Sequence, residues 1–359
     1  MYLINLDWNN PLWSSTIQKL RHDVYHLPKY CQLEAERQQA SPHAFLLVEG
    51  GKIFFVPYLL RRCTDVFTDI GCGVFDIVSP YGYPGILLSE EAAASTEFIE
   101  LALGEIKREM IKQKICSAFF RFHPILNQQF NTTCEFAKVI KQGETVSIDL
   151  TLSEEKLWST TRKGHQSSIN KCKRLGVTVD FYPFRSHIHD FVEVYEETMN
   201  RVKAVDSYYF NIDYFNSLAE LGEHVQLGLA HVDGRLASVC IFFECCGIVQ
   251  AHLCGTKSEF LSYSPLMLIL DYARRWYKQR GNEFLHLGAG YKGNTGDAVF
   301  NFKSGFSRQR FDFSALCLIG DEKQYYRLVE TRARALNVRA DELLKTQFFP
   351  SYRSSPAIS

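Results

Sequence analysis

Apolar residues in this chain cluster in short blocks, some alternating with polar residues at period two and others spaced for one face of a helix. His43-Ala-Phe-Leu-Leu-Val-Glu reads as a strand, Gly50-Gly51 as a tight turn, and Lys52-Ile-Phe-Phe-Val-Pro-Tyr-Leu-Leu as its antiparallel partner. A short strand at 74–78 follows, then the loop Ser79-Pro-Tyr-Gly-Tyr-Pro-Gly, a helix through 90–114 and a strand at 117–123. The second half repeats the order. Val225-Gln-Leu-Gly-Leu-Ala-His-Val, the turn Asp233-Gly234 and Arg235-Leu-Ala-Ser-Val-Cys-Ile-Phe-Phe form its hairpin. Ile248-Val-Gln-Ala-His-Leu, a loop to Ser264-Pro265, a helix through 266–280 stopped by Gly281, and a strand at 283–287 complete it.

Each half therefore reads hairpin, strand, loop, helix, strand. That pattern defines an α/β fold with mixed sheets flanked by helices, and the repetition points to duplication. At 359 residues the chain is long enough for two cores. The expected domains are 1–148 and 149–359, with a charged helix near 321–346 placed to pack back on the first. Between the halves lie a strand at 143–150 and a helix at 153–174. That helix has Leu157, Trp158, Thr161, Ile169 and Cys172 near one face, and Lys156, Lys163, Lys171 and Arg174 on another. The basic face is either simply solvated or a contact for phosphate.

Composition narrows the class. Forty basic and forty acidic residues cancel, so a polyanionic partner would have to meet a local patch rather than a global field. Eleven cysteines, none in a C-x-x-C pair, argue against a disulfide framework or a zinc site and for reduced thiols in a cytosolic protein. The start, MYLINLDWNNPLW, lacks the basic and apolar regions of a signal peptide, and no run reaches the ~18 apolar residues of a membrane span. The expectation is a cytoplasmic protein without an integral membrane segment, which leaves work at the inner membrane surface open.

Several stretches in order carry a family resemblance: Ser79-Pro-Tyr-Gly-Tyr-Pro-Gly, Arg121-Phe-His-Pro, Ile148-Asp-Leu, Leu157-Trp through Arg162 to Ile169-Asn-Lys, Gly255-Thr, Ser264-Pro, His286-Leu-Gly-Ala-Gly and Phe302-Lys-Ser-Gly-Phe. From about residue 40 to 325 the chain resembles the Fem-type aminoacyltransferases of peptidoglycan cross-bridges, which are tandem GNAT-fold acyltransferases. The resemblance implies two GNAT-like domains and transfer of an acyl or aminoacyl group onto an amine. It implies no permanently bound cofactor and no metal. The co-substrate would be aminoacyl-tRNA or acyl-CoA, and the acceptor a small molecule or a lipid-linked muropeptide. No long heptad insertion interrupts either half, so the coiled-coil arm of some members is absent.

Such chemistry needs a neutral amine, a donor for the developing oxyanion and a proton for the leaving group. The resemblance assigns Phe302 and Lys303 to the transfer site, where a desolvated lysine would face the oxyanion. Asp149 is a carboxylate base candidate or, equally, a structural acceptor for backbone amides. Tyr81, Tyr83, Arg121 and His123 are acceptor-side candidates, the last two sharing one strand face at period two. Arg162, Lys171, His252 and Ser264 are assigned to the donor side. His252 and His286 read equally as core histidines.

Two absences shape the donor. The stretch between Thr256 and Pro265 contains no glycine, unlike the pyrophosphate loop of coenzyme A-dependent GNAT enzymes, which favours aminoacyl-tRNA. Gly288, Gly290 and Gly293 have the G-x-G-x-x-G spacing, but Asn294-Thr-Gly-Asp follows in place of an apolar helix, so the dinucleotide reading fails and a flexible loop is expected. An acyl-CoA N-acyltransferase for polysaccharide or amino-sugar synthesis remains the alternative, and a non-catalytic tandem scaffold the reading from another class.

Overall fold

The computed structural model describes residues 2–65, 67, 73–346 and 348–354; Cys72 lies outside them. Its chain divides into two compact units, Met1–Gln142 with Phe313–Ser359, and Gly143–Asp312. The first break thus falls at Gln142 rather than at 148, and the C-terminal helices belong to the first unit. They do so because Tyr325, Leu328, Val329, Leu343 and Tyr352 bury themselves in one cluster with Cys63, Phe67 and Cys116.

In the first unit the sheet runs in the order Tyr2–Asp7, Ser41–Glu49, Lys52–Arg62, Phe75–Val78, Ile115–Arg121 and the 313–319 part of Arg310–Ile319. In the second, the order from the opposite edge is Thr178–Pro183, Val225–Val232, Arg235–Cys245, Ile248–Thr256, Phe284–Ala289 and the 143–149 part of Ala137–Asp149. Each sheet is antiparallel except for one pair. Phe75–Val78 runs parallel to Ile115–Arg121, and Ile248–Thr256 runs parallel to Phe284–Ala289. A parallel pair needs a crossover, which helices Thr96–Lys112 and Pro265–Gln279 supply. The edge strands Tyr2–Asp7 and Thr178–Pro183 extend the repeat beyond the sequence expectation.

The helices form because one stripe of each is apolar. Thr96–Lys112 buries Phe98, Ile99, Ala102, Leu103, Ile106 and Met110, capped by the Ser95 hydroxyl. Pro265–Gln279 buries Leu268, Ile269, Ala273 and Tyr277. Each large side chain removed from water contributes about 1.5–3 kcal/mol.

Three expected helices are broken, each for a local reason. The segment 153–174 becomes Glu154–Thr160 and Lys163–Arg174, because Thr161 and Arg162 are extended and the Arg162 amide donates to the Gly305 carbonyl at 2.8 Å. The buried Arg274 holds this break by donating to Thr161 Oγ1 at 2.8 Å and to the Leu157 carbonyl at 3.2 Å, its charge balanced by Asp271. Ser95 restarts the helix expected over 90–114, leaving Glu90–Ala93 separate. Asn337, in the left-handed conformation, divides Glu322–Leu336 from Ala340–Lys345.

Candidate active site

The parallel strands of the second unit do not stay together. Ile248, Val249 and Gln250 pair with Phe284, Leu285 and His286, and the pairing of described residues stops there although both strands continue. Each strand is bulged at that level. Cys240 faces Cys254 while Phe242 faces Ala251, so His252 and Leu253 stand opposite Ile241 alone. Phe284–Ala289 shifts against its other neighbour between His286 and Gly288. Bulges bend and twist the strands that carry them, and here they open a wedge between residues 251–256 and 287–289. At its apex the His286 ring donates from Nδ1 to Gln250 Oε1 at 2.5 Å.

Lys303 occupies the open side of this wedge. It lies in the last turn of a short helix, Ala298–Ser304, where a flexible loop was expected to run on to the Phe-Lys pair. Asp297 starts that helix: its Oδ1 accepts from the Phe300 amide at 2.6 Å, and its Oδ2 from the Tyr291 amide. One carboxylate therefore ties the glycine turn to the helix. The Lys303 ammonium donates to the Ala289 carbonyl at 2.7 Å. Burial pulls its pKa down from the usual lysine value to about 8, against the opposing influence of Cys254, Asp297 and Cys240.

The segment around Lys303 is held from beneath. The Phe302 carbonyl accepts from His165 Nε2 at 2.8 Å, and the Phe302 and Phe306 rings lie 5.7 Å and 4.9 Å from the His165 ring. Gly305 has to be glycine, since a Cβ there would come within 2.1 Å of the same imidazole. Arg162 adds a bond from its guanidinium to the Asn301 carbonyl at 3.0 Å. Phe302, Lys303 and Arg162 are thus brought together.

The remaining donor-side candidates lie along the same helix and wedge. Lys171 Nζ donates to the Ser262 carbonyl at 2.9 Å, fastening the turn Ser258–Tyr263 to helix Lys163–Arg174. Ser264 is left-handed (φ 59°) and leads into Pro265, and the first turn of that helix carries no acidic residue. His252, at the bulge, stacks on Phe243 with ring centroids 4.1 Å apart.

Asp149 stands elsewhere. It pairs with Phe284, whereas Ala289, which holds Lys303, pairs with Thr145. Five residues of strand separate the two places, roughly 16 Å. The Asp149 carboxylate caps its own turn, accepting from the Thr151 amide at 2.9 Å and the Thr151 hydroxyl at 2.6 Å. As a base acting beside Lys303 it is displaced; its work is that of a structural acceptor.

In the first unit the corresponding strands also part, after Val78 and Phe119, but the chain fills the gap. The Ser79 amide donates to the Phe119 carbonyl at 3.0 Å, and Ser79 Oγ accepts from the Arg121 amide at 2.8 Å. The Gly85 amide donates to the Arg121 carbonyl at 2.9 Å. Asn127 Oδ1 accepts from the Ile86 and His123 amides at 3.1 Å and 2.9 Å.

His123, expected on the acceptor side, is fully buried. Its Nδ1 accepts from the Ile125 and Leu126 amides at 3.1 Å and 3.2 Å, so Nε2 carries the proton and donates to Asp23 Oδ2 at 2.9 Å. With both ring nitrogens used internally, it is a structural residue rather than a ligand contact. Tyr81 lies under Arg37, 5.4 Å from guanidinium to ring, and Tyr83 packs edge-on against Tyr25 and Phe313. Arg121 differs from its neighbours. Its guanidinium lies 6.0 Å from the Phe119 ring and has no hydrogen bond or ion pair among the described residues.

Sequence reading missed His165, Asp297, Cys240 and Cys254 as neighbours of Lys303. Only Asp297 left a signal, an aspartate directly before the apolar run Ala298-Val-Phe.

With this geometry in hand, comparison with known proteins defines the fold. Residues 159–304 match the family model described as an acetyltransferase (GNAT) domain. FemX is 11% identical, with a TM-score of 0.72 over 92% of this chain and 100% of that one. L-PGS from Bacillus licheniformis is 13% identical, with a TM-score of 0.54 over 89% of this chain and 94% of that one. The C-terminal domain assigned to a lysylphosphatidylglycerol synthetase of Agrobacterium fabrum is 14% identical, with a TM-score of 0.55 over the same shares. No curated protein matches the sequence. The chain thus shares the fold of FemX over nearly its whole length, and its second unit carries a match to an acetyltransferase (GNAT) domain. Among the described residues no helix is long and apolar enough to cross a membrane.

Proposed function

We propose that the protein is an acyltransferase that moves an aminoacyl group from aminoacyl-tRNA to an amine of a cell-wall precursor or related metabolite. The observation that carries this reading is Lys303: a desolvated ammonium fixed at the open side of a wedge between parted parallel strands. An aminoacyl ester is already activated, so the site has only to align the amine and meet the charge that forms on the carbonyl oxygen. A cation held in a desolvated place does this with little reorganisation. Its pKa of about 8 leaves Lys303 mostly protonated near neutrality and also able to return a proton to a leaving alkoxide.

The resemblance to Fem-type enzymes supports the aminoacyl donor, as does a structural relative named for a lysyl lipid. Exposed Lys163, Lys171 and Arg174 on helix Lys163–Arg174 supply positive charge for a nucleic-acid backbone. On the acceptor side, Arg121 offers a guanidinium with no hydrogen bond or ion pair among the described residues, suited to a phosphate or carboxylate, with Tyr81 and Tyr83 in the adjoining loop.

One observation favours acyl-CoA instead. Helix Pro265–Gln279 begins without a side-chain cap or first-turn acid, a start whose positive dipole end suits a phosphate. Two measurements separate the readings. Purified protein incubated with charged tRNA and candidate amines should deacylate the tRNA only when acceptor is present. Saturable binding of acetyl-CoA by calorimetry, with no such deacylation, would transfer the assignment to the coenzyme.

A further inference from the structure

Two cysteines meet at the wedge, and the transfer reaction makes no use of them. Cys240 and Cys254 face each other directly in antiparallel register on Arg235–Cys245 and Ile248–Thr256, with sulfurs 2.7 Å apart. Cross-strand partners have their Cα atoms about 4.5–5.5 Å apart, inside the range a disulfide spans. Cys240 is fully buried, and Cys254, on the wedge wall, is half-buried. The groups of opposite polarity that influence the Lys303 ammonium are Cys254, Asp297 and Cys240, with the Ala289 carbonyl as its hydrogen-bond partner.

We propose that Cys240 and Cys254 are a reversible disulfide-forming pair that closes across the two strands at the wedge when conditions become oxidising. Oxidation proceeds by exchange with a small-molecule disulfide. The Cys254 thiolate, the more accessible member, attacks one sulfur of that disulfide, forming a mixed disulfide and releasing one small thiolate. Cys240 then gives up its proton and attacks Cys254 Sγ, which breaks the mixed bond and releases the second. Both protein thiol protons end on the two small thiols, and two electrons pass from the protein to the small disulfide.

Burial, then Cys254, pushes the Cys240 thiol well up, which leaves the more accessible Cys254 to make the first attack. The pair rests on the facing register of the two residues and the separation of their sulfurs, and it does not depend on the transfer reading.

The test needs no substrate. Full-length protein is equilibrated over a series of reduced and oxidised glutathione ratios, alkylated, digested and analysed by mass spectrometry. A peptide joining Cys240 to Cys254, lost on reduction with dithiothreitol, is expected; alkylation of both residues at every ratio would overturn the pair. Cys254→Ser and Cys240→Ala should each abolish the linked peptide. Failure of one variant to fold leaves the other as the control.

Discussion

The Lys303 ammonium meets the Ala289 carbonyl at 2.7 Å, across the open side of a wedge whose apex is the Gln250–His286 pair. The bond fixes a charge where two strands expose backbone, and the same burial that fixes it weakens its hold on a proton.

If protonated Lys303 meets the developing oxyanion, aminoacyl transfer should decline at alkaline pH with a midpoint near 8. Lys303→Arg, which stays charged, should lose that limb, and Lys303→Ala should slow transfer by roughly a hundredfold. An alkaline limb unchanged in the arginine variant would remove Lys303 from the role.

The same lysine makes a stability prediction. Because its folded pKa is lowered to about 8, the unfolded chain holds more protons between that value and the ordinary 10.5, and stability should rise with pH across that window. Below it the folded state carries the cost of a desolvated charge. Lys303→Met should therefore stabilise the protein at pH 7 by about 2 kcal/mol, and the gap should close towards pH 10.5. Urea unfolding at pH 7, 9 and 10.5 measures it; a gap that widens with pH contradicts the sign.

How much of this was legible in the sequence depends on the distance over which each feature is set. Period-two blocks and glycine turns are local, so both hairpins and both crossover helices could be read directly. The family resemblance pointed to Phe302-Lys303, and the structure puts both in the last turn of helix Ala298–Ser304. The breaks at Thr161 and Asn337 were not, because helix spacing continues through them and the competing bond, from the Arg162 amide to Gly305, spans 143 residues of chain. His123 and Asp149 misled for a related reason. Strand alternation tells which residues share a face, but whether that face meets solvent or Asp23 is decided by chain 100 residues away.

The support beneath Lys303 can be tested by adding one carbon. Gly305→Ala drives a methyl into the His165 ring and should displace the imidazole that bonds the Phe302 carbonyl, costing about 2–3 kcal/mol and lowering transfer. Gly104→Ala, inside helix Thr96–Lys112 with open space around its Cβ, should instead stabilise by about 0.5–1 kcal/mol. Thermal melts of the two variants should move in opposite directions. Equal shifts would show that the His165 contact yields without strain.

His123 and Arg121 are two residues apart, and the structure gives them opposite tasks. His123 is buried with both nitrogens engaged, and removing it takes one hydrogen-bond donor from the buried Asp23 carboxylate, a loss of about 1–3 kcal/mol. Asp23→Ala removes the other member of the same pair, so the double variant should cost less than the sum of the single ones. Arg121 makes no hydrogen bond or ion pair among the described residues. Arg121→Ala should leave stability within about 0.5 kcal/mol while raising KM for an anionic acceptor at little cost in kcat. The discriminating measurement is therefore denaturant unfolding beside acceptor kinetics for both positions. An Arg121→Ala variant that lost stability but kept its KM would make the arginine structural and withdraw it from the acceptor side.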